Sequence, residues 1–526
     1  MMKKIEKVIS LILIICICLV MTGCKADNTK DEKKRDYLVY GVKSTDLNFK
    51  PFSGQMEEQD IYNALFDGFF EKTQKGDIVP ALFDSYKVSK DGLEYILTLR
   101  NNAHWSDGSS ITCDDILNYF RQLLSYNNKN SFVSELYSIY GAKKYHEGND
   151  DFSCVAMTKE NDNTLKIRMN NKDDDFLEKL SSPRYRLVKK LDDLNKIKDN
   201  YKNIKYSGAY SIDAVNKDGS VMLKLNDGYY DKAKNSAEKI LLKRYESTEV
   251  ALADMETGNV DFFKGAPESE VLNLYNNNKL QVCPKQDTIF LGFNLAKGRL
   301  TNSLDFRRAV QRGLSYSFYT YGGVKSGEYE VTKGQIVRNA GQDKTALFTA
   351  GNISSDEIKS QIEDNVVVAN KIIKDNEDFK SAHLKILCEN KYSSIAEFVK
   401  KKLENDLKFK VDIVNCNEEG LGEQKKKADY DMFLCGYDFH DEDKKDIYSS
   451  MFSGCSWDDE EYLKLSKGIE SKKDYSTDNV EKLISDKIPY IPLLFVNDVV
   501  CRSEKINYIN FDRNGIIELK KLELNK

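Results

Sequence analysis

Histidines, cysteines and paired carboxylates are the side chains best able to do chemistry, and this chain scatters all three. It has four histidines in 526 residues, which leaves little room for a histidine-rich metal site. His104 ends a strand-like run in Asn102-Ala103-His104-Trp105, and His146 stands in the polar stretch Lys144-Tyr145-His146-Glu147-Gly148. Both read as surface or packing residues rather than as catalytic bases. Beyond Cys24 lie Cys113, Cys154, Cys283, Cys388, Cys416, Cys435, Cys455 and Cys501, and no two form a C-x-x-C pair. That spacing argues against a zinc site or a disulfide framework and reads as isolated buried thiols. In an exported chain some of them could still pair. Asp114 and Asp115 follow Thr112, where two carboxylates suit the first turn of a helix capped by the threonine. No G-x-x-x-x-G-K-[ST], G-x-S-x-G or H-E-x-x-H occurs. The expectation is a binding protein that is not an enzyme and carries no cofactor or metal.

The first residues concern destination. Lys3, Lys4 and Lys7 precede the uncharged run Val8 to Val20, VISLILIICICLV. That run is shorter than the roughly 20 residues a helix needs to cross a bilayer, so it reads as a secretion signal. It ends in Val20-Met21-Thr22-Gly23-Cys24, which resembles a bacterial lipobox, with Met21 in place of the usual leucine. The resemblance implies a signal over 1–23, lipid attachment at Cys24, and a membrane anchor on the extracytoplasmic face. The segment 24–35 is nearly devoid of apolar residues and reads as a solvated tether. A net charge of −5 gives no basic excess for nucleic acid, and aromatics at 11% exclude a disordered chain. Seven prolines exclude collagen-like and proline-rich architectures.

The elements that must position any site are short strands mixed with helices. Asp36 to Val42 (DYLVYGV) reads as a strand, and Glu57 to Phe70 as a helix with Ile61, Leu65, Phe66 and Phe69 on one side. Leu93, Tyr95, Leu97 and Leu99 alternate after a Ser-Lys-Asp-Gly turn, as in a half-buried strand. Thr112 to Leu124 reads as a capped helix, and 221–225 and 239–243 as strands. Residues 250–257 read as a helix stopped by Gly258. Phe306 to Leu314 reads as a helix with its arginines on the wet face. Further helices are expected over 366–374 and 395–407, and a buried strand over 491–500. The class is α/β.

Several motifs then occur in one order. Trp105-Ser106-Asp107-Gly108, followed by Thr112-Cys113-Asp114-Asp115, is a tight turn running into a helix start. After it come Gly141-Ala142-Lys143, Ser207-Gly208-Ala209-Tyr210, Leu225-Asn226-Asp227-Gly228-Tyr229-Tyr230 and Thr257-Gly258-Asn259-Val260-Asp261. Gly292-Phe293-Asn294, Asp305-Phe306-Arg307-Arg308-Ala309-Val310, Asp429-Tyr430-Asp431 and Pro489-Tyr490-Ile491-Pro492 complete the set. Their order over 37–520 resembles that of the bacterial extracellular solute-binding proteins, family 5, the peptide and nickel class of ABC importers.

The resemblance implies a two-lobed, hinged, periplasmic-binding-protein-like fold of class II, with an extra domain inserted in lobe one. Carried onto this chain, lobe one is expected at 36–67, 154–265 and 497–526, the extra domain at 68–153, and lobe two at 266–496. It also implies capture of a peptide in the interlobe cleft, delivery to ABC permease subunits, and a monomer. Relatives hold the peptide's ammonium with an aspartate in a stretch like G-W-x-x-D-Y. Here that stretch is Gly436-Tyr437-Asp438-Phe439-His440-Asp441, with His440 where the aspartate would stand and Asp438 and Asp441 beside it. A histidine cannot replace a carboxylate as partner for an ammonium. Tyr437, Asp438, His440, Asp441 and Asn294 are the expected ligand residues, with Asp441 or Asp438 favoured as the carboxylate. Ser53 to Gln55 are expected near the cleft edge, with no role assigned. The alternatives keep the fold with a metal chelate, a saccharide or a signalling peptide as ligand, or make the chain a surface receptor lipoprotein without transport.

Overall fold

The computed structural model describes residues 35–525 apart from 48, 50–58, 74–76, 196, 232–235, 268, 316, 318–323, 327–328, 333–334, 340–354, 438–447, 449, 452–456, 458, 472–476 and 513–514. Ten strands form the continuous run of the main sheet. They are β1 (Leu38–Val42), β2 (Tyr210–Val215), β3 (Val221–Leu225), β4 (Lys239–Arg244), β5 (Phe262–Lys264), β6 (Leu280–Phe293), β7 (His383–Glu389), β8 (Lys410–Cys416), β9 (Met432–Tyr437) and β10 (Tyr490–Arg502). Their order across the sheet is β8-β7-β9-β6-β10-β5-β1-β4-β3-β2. Three shorter strands, Val324–Ser326, Tyr329–Thr332 and Gln335–Asn339, join at the edge of β10.

The sequence LVYGV of β1 has no polar face, as expected for a parallel strand covered on both sides. Tyr40 stacks on Phe262 of β5 at 4.4 Å in one core, and Val39 packs with Tyr245, Leu252 and Phe263 in another on the opposite face. This is lobe one. Lobe two has its own core, drawn from 289–494 and built on β7, β9 and the helices Leu304–Leu314 and Ser393–Leu407. Of the ten strands, only β6 and β10 belong to both lobes. Leu280, Cys283, Val500 and Cys501 pack in lobe one, whereas Ile289 to Leu291 and Tyr490 to Leu494 pack in lobe two. Their antiparallel register breaks twice between those ends, at Cys283/Asp287 and at Ile289/Phe290. Pro284 falls in the first break and Pro492 at the second, where a residue with no N–H interrupts a ladder.

A third core gathers residues from Phe69 to Leu187. Its antiparallel sheet orders 83–88, 94–99, 164–168 and 157–161. Trp105-Ser106-Asp107-Gly108 turns with Gly108 at φ 83°, and the carboxylate of Asp115 accepts from the Trp105 indole (3.2 Å) and the Thr112 amide (3.1 Å). The motif thus ties a turn to a helix start.

Four expectations are corrected. Residues 266–283, expected in lobe two, place Val271, Leu274, Leu280 and Cys283 in the lobe-one cores. Residues 154–187, expected in lobe one, pair and pack with the inserted domain, because 164–168 hydrogen-bond along 94–99. The helix expected over Glu57 to Phe70 ends at Leu65, and Phe70 opens a strand that pairs with Ile78–Pro80. Arg307, expected on a wet face, is 2% exposed. Its guanidinium donates to the carbonyls of Lys487 (3.0 and 2.7 Å), Thr301 (2.9 Å) and Asn302 (2.7 Å).

Candidate functional site

Strand directions point to a candidate site. β10 runs from lobe two into lobe one. β5 is antiparallel to it, and β1 and β4 run with β5, so all three point toward lobe two and end at Lys264, Val42 and Arg244. β6 runs opposite to β10, β9 opposite to β6, and β7 and β8 with β9. Those three therefore point toward lobe one and end at Tyr437, Glu389 and Cys416. Two sets of parallel strands thus aim their carboxyl ends at the stretch where β6 and β10 cross. The space beyond such ends is where open α/β sheets bind ligands.

On the lobe-two side, β9 follows β6 as far as Thr288↔Tyr437, but the β7–β9 ladder stops at Leu387↔Phe433. β9 therefore runs on past its neighbour. Gly436 is exposed there, and a Cβ built on it would run into the Tyr392 hydroxyl. Tyr437 is half-buried, its ring set edge-on to Phe290 at 5.9 Å. Glu389, at the end of β7, meets the Lys391 ammonium at 2.8 Å, and that ammonium lies 4.9 Å from the Tyr392 ring centre. Partial burial works against the Lys391 charge, but Glu389 and Tyr392 outweigh it and leave its pKa raised.

The lobe-one wall is closely packed. Gly41 lets Phe263 and Tyr245 approach, each 3.1 Å from where a Cβ would sit. The Lys264 ammonium is held by Asp60 at 2.7 Å, and Asp60 also accepts from the Tyr40 hydroxyl (2.6 Å) and the Ile517 amide (2.8 Å). Past β1, Leu47 takes the left-handed conformation at φ 48° while buried, a placement that costs about 1–2 kcal/mol.

Of the ligand residues expected from sequence, the structure places Tyr437 at this convergence. Asp438, His440 and Asp441 lie outside the described residues, as do Ser53 to Gln55 and Cys24. Asn294 lies elsewhere. It follows Phe293, which pairs with Met432 at the other end of the β6–β9 ladder from Tyr437. Its amide donates to the Tyr430 carbonyl (2.8 Å) and the Ala428 carbonyl (3.4 Å), and accepts from the Ala296 amide (3.2 Å). The side chain holds the turn that leads into β9. Sequence reasoning missed Glu389, Lys391 and Tyr392, whose one signal is polar residues directly after the apolar run of β7.

Residues 77–459 match the family model of the bacterial extracellular solute-binding proteins, family 5, middle region. The chain belongs to this family. Its family-5 relatives include the oligopeptide-binding protein OppA of Bacillus subtilis, 22% identical over 98% of this chain and 98% of OppA. The dipeptide-binding protein DppE of the same organism is 22% identical over 99% of each. Among solved structures, the murein tripeptide-binding protein MppA in its unliganded open form superposes with a TM-score of 0.69 at 18% identity, covering 93% of this chain and 98% of MppA. OppA of Haemophilus influenzae in complex with the peptide RPPGFSPFR superposes at 0.58 with 14% identity, covering 94% and 99%. The fold is therefore the two-lobed α/β fold of these binding proteins.

Proposed function

We propose that the chain is an extracytoplasmic peptide-binding protein that delivers its ligand to an ABC importer and performs no chemistry on it. The observation that carries this reading is the convergence of both sets of strand ends on the β6–β10 crossing. A ligand there touches both lobes only when they approach, so binding stabilises the closed arrangement. β9, running past the end of the β7 ladder, suits an extended peptide that adds as a strand, with its backbone read rather than its side chains. Relatives named for oligopeptide and dipeptide binding, and a peptide complex of the same fold, support the ligand class.

The sequence supports anchoring through a lipid on Cys24, and Cys24→Ser is then expected to move the protein from the membrane fraction to the soluble fraction. The ligand class is tested by a thermal-shift screen against pools of short peptides. A ligand at one hundred times its Kd stabilises by about 2.7 kcal/mol, a readable rise in Tm. A protein that melts unchanged with every pool contradicts the reading.

A further inference from the structure

The polar group at the end of β7 is built like a cation site that already holds a cation. We propose that Glu389 and Tyr392 form a subsite for a cationic group of the ligand, an ammonium or a guanidinium. The chain's own Lys391 fills it until the ligand displaces it. This inference rests on the peptide-capture reading and names one chemical feature of the ligand.

Glu389 pairs with Cys416 in the last rung of the β7–β8 ladder, on the edge of lobe two that faces lobe one. Its side chain is 13% exposed, whereas that of Lys391 is 56% exposed. A carboxylate can accept about four hydrogen bonds, and one held largely out of water needs donors. Among the described residues, the Lys391 ammonium at 2.8 Å is the group that meets it. Among the described residues, that leaves acceptor capacity on the carboxylate. On its other side the same ammonium lies 4.9 Å from the Tyr392 ring centre, within the range of a cation–π contact.

The two walls are fixed. Glu389 ends a strand, and Tyr392 directly precedes the helix Ser393–Leu407 with its hydroxyl against Gly436 of β9. The occupant is not fixed, because it rides on a flexible four-carbon stem that is mostly in water. Because the Glu389 carboxylate is largely out of water, it needs a cation beside it, so Lys391 leaves only as a ligand cation takes its place. A ligand cation that takes its place restores the charge balance and leaves Lys391 in solvent. The raised pKa of Lys391 agrees, since the surroundings favour a positive charge there.

The test uses isothermal titration of the mature protein, Glu389→Gln and Lys391→Met. The probes are matched short synthetic peptides with a free or acetylated N-terminus, and with lysine or norleucine at one position. Glu389→Gln is expected to weaken the cationic peptides about tenfold and to leave the acetylated norleucine peptide unchanged. Lys391→Met is expected to strengthen the same cationic peptides several-fold. It changes an exposed side chain, so it remains informative if Glu389→Gln folds poorly. Sensitivity that follows acetylation marks the ligand's N-terminus as the cation, and sensitivity that follows norleucine marks a side chain. Peptides that bind but respond equally, cationic or neutral, to both substitutions overturn this inference alone. Absence of binding by every peptide to all three proteins overturns the capture reading and this inference with it.

Discussion

Gly436 is exposed near the end of β9, and the Tyr392 hydroxyl fills the space its missing side chain leaves. On the capture reading, Gly436→Ala is expected to lower peptide affinity, because the added methyl runs into the Tyr392 hydroxyl and disturbs one wall of the proposed subsite. Overpacking of this size costs about 1–3 kcal/mol. Adding Tyr392→Phe removes the clashing hydroxyl and is expected to restore part of the affinity, a coupling that a double-mutant cycle by titration calorimetry would read. Arg307 is the residue the sequence misplaces most plainly. Helical spacing sets it beside Arg308 and suggests a wet face, but the carbonyls that claim its guanidinium include that of Lys487, 180 residues away. No local pattern reports such a partner. Arg307→Met is expected to lower unfolding stability by about 2–4 kcal/mol, read by urea denaturation, because buried carbonyls lose their donors.

At the scale of elements, the inserted domain is joined to lobe one by a buried charge network. Within lobe one Asp67 accepts from the hydroxyls of Tyr229 (2.9 Å) and Tyr230 (2.5 Å), and across the boundary Glu71 meets the Lys520 ammonium at 2.6 Å. Burial alone would raise the Glu71 carboxyl, but Lys520 and then Lys521 outweigh it and bring its pKa to about 2. A folded pKa below the ordinary 4.5 means that the stability Glu71 contributes is complete above about pH 4.5 and is lost as pH falls toward 2. Glu71→Gln is therefore expected to be less stable than the parent chain at neutral pH, and denaturation across that window should show the gap closing. The turn held by Asn294 gives a second contrast. Asn294→Ala is expected to lower stability by about 1–3 kcal/mol, by unfolding in denaturant, with peptide affinity essentially unchanged. What was legible at this scale was local: β1 from an unbroken apolar run, and the Trp105 turn from Ser-Asp-Gly ahead of a helix start. The domain edge at 154–187 was not legible, because it depends on 164–168 returning to pair with 94–99. Glu389, Lys391 and Tyr392 were missed for the same reason, since their importance comes from where strands end relative to one another.

At the scale of the molecule, two lobes with separate cores share β6 and β10, and the ladder between those strands is broken twice where it passes from one core to the other. Broken pairing at a crossing concentrates bending there, while each core moves as a body. The order of motifs along the chain foretold this architecture, although the meeting of the strand ends had to be read from the pairing. Small-angle X-ray scattering of the mature protein, alone and saturated with a peptide that raises its Tm, tests the central claim most directly. Capture between the lobes is expected to reduce the radius of gyration and sharpen the distance distribution. A saturating peptide that leaves both unchanged would contradict it.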